Sequence, residues 1–380
     1  MTEDTTSHLR FDLRELNGAL GDLGTLLPLS LACIALAGLS AQQVLLGFAV
    51  FYLATGLIYR LPIPVQPMKA VAAVVLVAEV TPASIALSGV LIGLVLLVLG
   101  GSGLIDRIAR LVPQSILAGL QLGLGLALGW FALGLMHDAA LLGALSLGLC
   151  VLCLRLRTHA ALITILAGAG FGLLTGMEGQ WTGGAVAGAS WLPPLPGGAD
   201  IRTAIADLAA PQLVLTLTNA VVLTALVAGD LFGARAANVT PRRLCLSSGA
   251  ANLLLAPLGA LPMCHGAGGL VAHHRFGARS GGAPIMLAAG LAVLALMPGP
   301  LRLAMLGAIP AATLGALLLV AAADLAFSRR LFDARPSCRP VIAATAAATV
   351  LVDPLAGLIA GTLAEVARKA ILKRRARTAR

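Results

Sequence analysis

Two short segments rich in proline and glycine hold the residues most able to do chemistry. Residues 61–70 read LPIPVQPMKA, and residues 261–269 read LPMCHGAGG. Proline favours an extended conformation in the residue before it, and Pro67 suits the first position of a helix. Each segment is therefore predicted to lead an extended stretch into a short helix. Since a helix N-terminus has free N–H groups and a positive dipole end, each segment is a candidate anion site.

Lys69 and Gln66 are the strongest side-chain candidates in the first segment. A lysine is costly to bury in a membrane unless it is paired or hydrated. Lys69 could thus supply the positive charge for an anion, or it could form a salt bridge with Asp22 or Glu79, and the sequence favours neither. Gln66 could cap the helix or donate to the anion, and we favour the anion.

The dipeptide Cys264-His265 in the second segment could suggest a metal ion or a nucleophile. Neighbouring residues at a helix start point in different directions, and no second ligand pair is nearby, so we predict no metal or cofactor. The sequence also has no Ser/His/Asp or HExxH spacing, which argues against an enzyme. Donation from the backbone N–H groups of His265, Gly266 and Ala267 to an anion is the favoured interpretation.

Polar residues inside apolar stretches complete the candidate site. Thr25 could donate to an anion or bond its own backbone, and Asn219 could bind the ligand or hold helices together. Asp22 would repel an anion when ionised, so it is interpreted as a proton carrier or a lysine partner. The predicted substrate-binding set comprises Thr25, Gln66, Pro67, Met68, Lys69, Asn219, Cys264, His265, Gly266 and Ala267.

The composition indicates a membrane protein. Of the 380 residues, 59% are hydrophobic and 11% are charged, whereas soluble domains have about 25% charged residues. Nearly all of the 26 Lys and Arg residues lie in short clusters between apolar runs. The net charge of +10 is therefore attributed to the positive-inside bias and not to nucleic-acid binding.

Apolar runs predict an all-α protein with fourteen transmembrane segments and both termini in the cytosol. A cytosolic tail (1–16), a first set of seven spans (17–177), an extracytoplasmic connection (178–210), a second set (211–372) and a basic cytosolic tail (373–380) follow one another. The predicted spans are 17–38, 41–60, 64–79, 82–101, 113–134, 139–156, 159–177, 211–232, 241–259, 263–276, 283–299, 303–326, 340–352 and 354–372.

The two sets of spans share landmarks. Pro113 and Pro310 are 197 residues apart, as are Asp22 and Asn219. A repeat of seven spans must enter the membrane from opposite sides in its two copies, which is the inverted-repeat architecture of secondary transporters. In such folds the substrate site lies near the midplane, where two interrupted helices meet.

The residues that carry these features match a known family. The motifs ELNGALGDLGT (15–25), PVQPMKA (64–70), PMCHGAGGL (262–270) and RFGARSGG (275–282) resemble those of the molybdate transporter branch of the SulP (sulfate permease) superfamily. The resemblance implies a core domain (spans 1–4 and 8–11) that moves against a gate domain (spans 5–7 and 12–14). It also implies that the STAS domain of most sulfate permeases is absent.

Together the residues and the resemblance predict a secondary transporter for a tetrahedral oxyanion. The residues alone indicate an anion, whereas the choice of molybdate comes from the resemblance. Proton symport through Asp22, elevator-like movement, a location in the cytoplasmic membrane and a homodimer of the kind common in the family are further expectations. A transporter of sulfate or another oxyanion and an anion channel of the same fold stay open as alternatives.

Overall fold

The computed structural model describes residues 9–111, 113–175 and 192–378, which are mostly helical. The α-helices of these ranges are α1 (Leu13–Leu20), α2 (Leu23–Ala37), α3 (Ala41–Tyr59), α4 (Lys69–Val77), α5 (Pro82–Gly101), α6 (Leu104–Leu111), α7 (Gln114–His137), α8 (Ala140–Arg155), α9 (Ala160–Thr175), α10 (Gly198–Arg202), α11 (Ala210–Leu215), α12 (Thr224–Phe232), α13 (Pro241–Leu255), α14 (Ala267–Arg275), α15 (Gly282–Leu296), α16 (Gly299–Gly307), α17 (Ala311–Ala326), α18 (Arg329–Phe332), α19 (Arg339–Leu351) and α20 (Pro354–Thr378). Two short strands, β1 (Gln66–Pro67) and β2 (Met263–Cys264), complete the regular structure together with π-helical and 3₁₀ segments.

Several helices are long and apolar enough to cross a bilayer. Within the described ranges, five helical stretches meet this condition by length and composition, and a sixth is added if the bent pair α1 and α2 counts as one span. Shorter apolar helices, such as α8, α9 and α15, lie between them. The protein therefore has the helices of a membrane protein, while the number of fourteen spans stays a prediction.

Two predicted helix boundaries are wrong. The span predicted to begin at residue 211 belongs to a helical stretch that runs continuously from Gly198 to Ala236. Its first turns contain Asp200, Arg202 and Asp207. Because these residues are charged, the apolar pattern predicts a later start of the helix. The span predicted as 303–326 is in fact two helices, α16 and α17, which are separated at Pro310.

Helices from the two halves of the chain pack against each other. Helix α3 packs along α15, α5 along α13 and α7 along α17. Small residues allow the close approach, as expected for helices in lipid: a Cβ atom on Gly249 of α13 would lie only 2.9 Å from the Gly93 carbonyl oxygen of α5. The fold thus depends on contacts between distant parts of the sequence.

A sharp bend at Asp22 interrupts the first membrane helix. Helices α1 and α2 meet there at 47°, and Asp22 is the residue that precedes α2. Helix α2 packs on α4 and contacts β1. The bend therefore brings the Asp22 carboxylate to the start of α4.

Candidate functional site

The two proline- and glycine-rich segments meet as a pair of short antiparallel strands. Gln66 pairs with Cys264 and Pro67 with Met263, and the Met68 N–H donates to the Pro262 carbonyl at 3.0 Å. This pairing keeps Pro67 and Met68 extended, so α4 begins at Lys69. The expectation that Pro67 takes the first helical position is wrong, because the strand contacts extend the chain for two residues more.

The N-termini of α4 and α14, which directly follow these strands, differ in how their N–H groups are used. In the described parts of the chain, no group accepts a hydrogen bond from the N–H of Ala267, Gly268 or Gly269 in the first turn of α14. In α4, by contrast, the Ala70 N–H donates to the Gln212 side-chain oxygen at 2.8 Å. The second segment therefore has the larger set of free donors for an anion.

Asp22 and Gln66 form a buried pair beside the first turn of α14. The Gln66 side-chain nitrogen Nε2 donates to both Asp22 carboxylate oxygens, at 2.7 and 2.8 Å. The pair lies so close to α14 that a Cβ atom on Gly266 would be 2.0 Å from Gln66 Oε1, and one on Gly269 would be 2.3 Å from Asp22 Oδ2. A larger residue at either position would therefore displace the Asp22 or Gln66 side chain. The Thr25 side chain also interacts with the Asp22 carboxylate.

Lys69 brings a positive charge to this site. Its ammonium nitrogen is buried, and no group in the described residues accepts a hydrogen bond from it. Asp22 and Cys264 act on the ammonium group electrostatically, but neither Asp22 nor Glu79 forms an ion pair with Lys69 among the described residues. The alternative of a direct salt bridge is therefore wrong for this conformation.

Gln212, which the sequence analysis did not single out, anchors the start of α4. It is fully buried on α11, and its Nε2 donates to the Thr216 hydroxyl at 2.9 Å while its Oε1 accepts from Ala70. Thr216 in turn interacts with the Cys264 side chain. This polar chain ties the two segments to the long helical stretch 198–236.

The His265 side chain points away from the Asp22–Gln66 pair. Its Nδ1–H donates to the Pro64 carbonyl at 3.0 Å, so its Nε2 accepts from the Ser247 hydroxyl at 2.8 Å. The Tyr59 hydroxyl donates to Ser247 at 2.7 Å and completes the chain. Both ring nitrogens of His265 are therefore already in use, and its backbone N–H as a donor to an anion stays a prediction. A second histidine, His273, holds the Pro62 carbonyl in the same way at 2.9 Å.

Asn219 lies in a π-helical part of the stretch 198–236. Its Oδ1 atom is buried without a hydrogen-bond partner, and the residue borders a small cavity with Leu120 and Leu124 of α7. No hydrogen bond links Asn219 to Asp22 or Gln66 among the described residues. The structure thus places Asn219 beside a cavity that α7 also borders.

A vestibule opens on the side where α14 ends. This cavity has a volume of about 830 Å³ and lies between α12 and α14 on one side and α7 and α17 on the other. Two ion pairs cross it: Arg330 with Asp230, at 2.5 and 2.6 Å, and Arg275 with Asp324, at 3.1 Å. Asp230 of α12 is thus the partner of an arginine that follows α17.

Comparisons with known proteins identify relatives over most of the chain. The sequence model of the family described as "Molybdate transporter of MFS superfamily" matches residues 14–128 and 204–325. Molybdate transporter 2 of Arabidopsis thaliana is 30% identical over 374 residues, which cover 83% of this chain and 78% of that protein. Molybdate transporter 1 of the same plant is 29% identical and covers 84% of this chain and 80% of that protein.

Solved structures share the fold. The transmembrane domain of the cyanobacterial bicarbonate transporter BicA matches with a TM-score of 0.60 and 19% identity, over 93% of this chain and 98% of that domain. SLC26A9 matches with a TM-score of 0.64 and 12% identity, over 95% of this chain and 65% of that protein. These are members of the SulP/SLC26 group. The chain therefore belongs to the molybdate transporter family, a family of transporters and not of enzymes, and it has the SulP/SLC26 fold.

Proposed function

We propose that this protein is a secondary active transporter of a tetrahedral oxyanion, with molybdate as its substrate. The observation that carries the proposal concerns the two short helices α4 and α14, which we call the half-helices. Three N–H groups of α14 and the Lys69 ammonium of α4 have no acceptor among the described residues. Buried donors of this kind are costly to leave unpaired, and an oxyanion accepts hydrogen bonds from all of them. The choice of molybdate rests on the family and on its Arabidopsis relatives.

Charge balance supports proton coupling through Asp22. The N-termini of α4 and α14 each contribute about half a positive charge, and Lys69 contributes one. An ionised Asp22 would cancel half of this charge, leaving about +1 for a dianion, whereas a protonated Asp22 leaves about +2. The dianion is therefore expected to bind together with one proton on Asp22, and the two would cross the membrane as symported partners.

Alternating access by an elevator-like movement is the proposed mechanism. Spans 1–4 and 8–11 would form the moving core around the half-helices, and spans 5–7 and 12–14 would form the gate. The vestibule lies between α14, which is in the proposed core, and α17, which is in the proposed gate. We place it on the cytosolic side, together with both termini, because the arginine-rich segments lie there.

Uptake by purified protein in liposomes tests the function. We expect saturable molybdate uptake that micromolar sulfate leaves intact and that an inward proton gradient accelerates. Lys69→Met and Gln66→Ala should abolish uptake while the protein stays monodisperse with a normal unfolding midpoint, and Lys369→Met, at an exposed lysine of α20, is the matched control. No response to either oxyanion would refute the proposal, and large unitary currents would favour an anion channel instead.

A further inference from the structure

The nitrogen and the oxygen of the Gln66 side-chain amide differ in their hydrogen bonding. Its Nε2 is held by both carboxylate oxygens of Asp22, whereas its Oε1 is buried with no hydrogen-bond partner. That oxygen faces Gly266, the residue that precedes α14. A buried acceptor without a partner costs stability, and here it lies at the place where the proposed anion would bind.

This orientation of the amide opposes an oxyanion. Molybdate offers only acceptor oxygens, so an amide oxygen that faces it repels it, while an amide N–H would attract it. An ionised Asp22 holds the unfavourable orientation, because a carboxylate accepts hydrogen bonds and cannot donate one. While Asp22 is charged, the Gln66 amide therefore presents its oxygen toward Gly266, where the anion would need a donor.

We propose that Gln66 is the switch that couples the protonation of Asp22 to oxyanion binding, an inference that rests on the proton symport of the proposed function. When Asp22 takes up a proton, its O–H donates to Gln66 Oε1, and the amide turns about its last side-chain bond. One N–H still donates to the Asp22 carbonyl oxygen, and the other is released toward the N-terminus of α14. Gln66 thereby changes from an acceptor that faces the anion into a donor.

The proton is accounted for at each step. It comes from the aqueous side on which the oxyanion binds, stays on Asp22 during the movement, and leaves when the anion departs on the other side. Loss of the proton restores the carboxylate, which draws the amide N–H groups back and exposes Oε1 again. Release of the anion is thus favoured by the same turn of the amide.

Among the residues that the structure describes, few other charged groups lie near Asp22. Lys69 of α4 and Tyr52 of α3 act on it directly, and Cys264 of β2 lies near Lys69. The remaining ionisable groups on the surrounding helices have other partners. Glu15 of α1 accepts from the Arg279 and Ser280 N–H groups, and Tyr59 of α3 and His273 of α14 are hydrogen-bonded as described above. At the end of α14, His274 packs on Phe232, and Arg275 pairs with Asp324 of α17.

Molybdate affinity as a function of pH, measured with the full-length protein in nanodiscs, tests the switch. In the wild type, obligatory uptake of one proton lowers the affinity by about tenfold for each pH unit above the titration of Asp22. Asp22→Asn, whose amide can donate to Oε1 permanently, should bind at high pH as tightly as the wild type binds at low pH, without pH dependence. Gln66→Met should bind more weakly and lose most of the pH dependence. Asp138→Asn, which changes an exposed carboxylate just after α7, is the matched control and should behave as the wild type.

The outcomes separate the switch from the symport itself. If the wild type shows no pH dependence, proton coupling fails and the switch fails with it. Suppose that the wild type and Asp22→Asn behave as expected but the molybdate affinity of Gln66→Met still falls tenfold per pH unit. Asp22 would then act by repelling the anion directly, and only the switch would be refuted.

Infrared difference spectra give a second readout that needs no Gln66 variant. Adding molybdate to the wild type at high pH should produce the C=O band of a protonated carboxyl together with a shift of the glutamine side-chain band. Both signals should be missing in Asp22→Asn. A carboxyl band without the glutamine shift would overturn the switch.

Discussion

Replacing Gly266 by alanine is the sharpest test of the site geometry. The added Cβ atom would lie 2.0 Å from Oε1 and 2.8 Å from Cδ of Gln66, far inside van der Waals contact. Its three nearest neighbours all belong to the Gln66 side chain, the third being Cγ at 3.6 Å. Since Asp22 holds the other end of that amide, Gln66 must either break these hydrogen bonds or push the backbone away.

The expected cost is that of overpacking a well-filled interior, about 1–3 kcal/mol. If this free-energy cost destabilises the molybdate-bound state alone, molybdate affinity drops by about 5- to 150-fold. Isothermal titration measures the affinity and thermal unfolding measures the stability. Gly148→Ala on α8 is the matched control, because a Cβ atom there meets no atom within 4 Å, and it should bind normally and be slightly more stable.

A double variant decides whether the clash is the cause. Gln66→Ala removes all three close neighbours of the new Cβ atom, so Gly266→Ala should cost almost no stability in the Gln66→Ala background. Equal losses of stability in both backgrounds would refute the geometry. Wild-type molybdate affinity in Gly266→Ala itself would place the anion elsewhere.

Three further predictions concern residues outside the Asp22–Gln66 pair. Gln212→Met leaves the Ala70 N–H buried without an acceptor, at a cost of about 1–3 kcal/mol, and should raise the apparent KM of molybdate uptake; an unchanged KM would contradict its role at the start of α4. Asp230→Asn breaks the partly exposed ion pair with Arg330 and should change the free energy of unfolding by no more than about 1 kcal/mol, as a denaturant titration would detect. The Glu15 N–H donates to the Asp12 carboxylate at the start of α1, and this hydrogen bond, together with Arg10, lowers the pKa of Asp12. The wild type should therefore be more stable than Asp12→Ala above the usual Asp pKa. This difference in the free energy of unfolding should disappear as the pH falls through the lowered pKa.

The sequence predicts the elements that carry the site with good accuracy. Proline and glycine at fixed places in two segments indicate a short helix after each extended stretch, and the structure has these helices at Lys69–Val77 and Ala267–Arg275. Such signals are local, because proline and glycine limit the backbone within one or two residues. Which of the candidate residues touch substrate stays a prediction.

Long-range partners could not be predicted in the same way. Gln212 lies 142 positions from Ala70, on a stretch whose residues give no sign of which side chain faces the other half of the protein. The strand pairing that moves the start of α4 to Lys69 likewise joins residues almost two hundred positions apart. The local pattern of residues around either partner does not indicate such a pairing.

The two half-helices therefore do not contribute equally to the site, although they occupy matching places in the predicted repeat. Gln212 already uses one N–H group of α4, whereas the first turn of α14 has no acceptor among the described residues. The first half compensates with the Lys69 ammonium and the Gln66 amide, both of which are side-chain groups whose charge or orientation can change. An anion would thus be held by a fixed set of backbone donors on one side and by an adjustable set of side chains on the other. Proton coupling requires such an arrangement, because a site built from backbone donors alone would bind the dianion equally well at every pH.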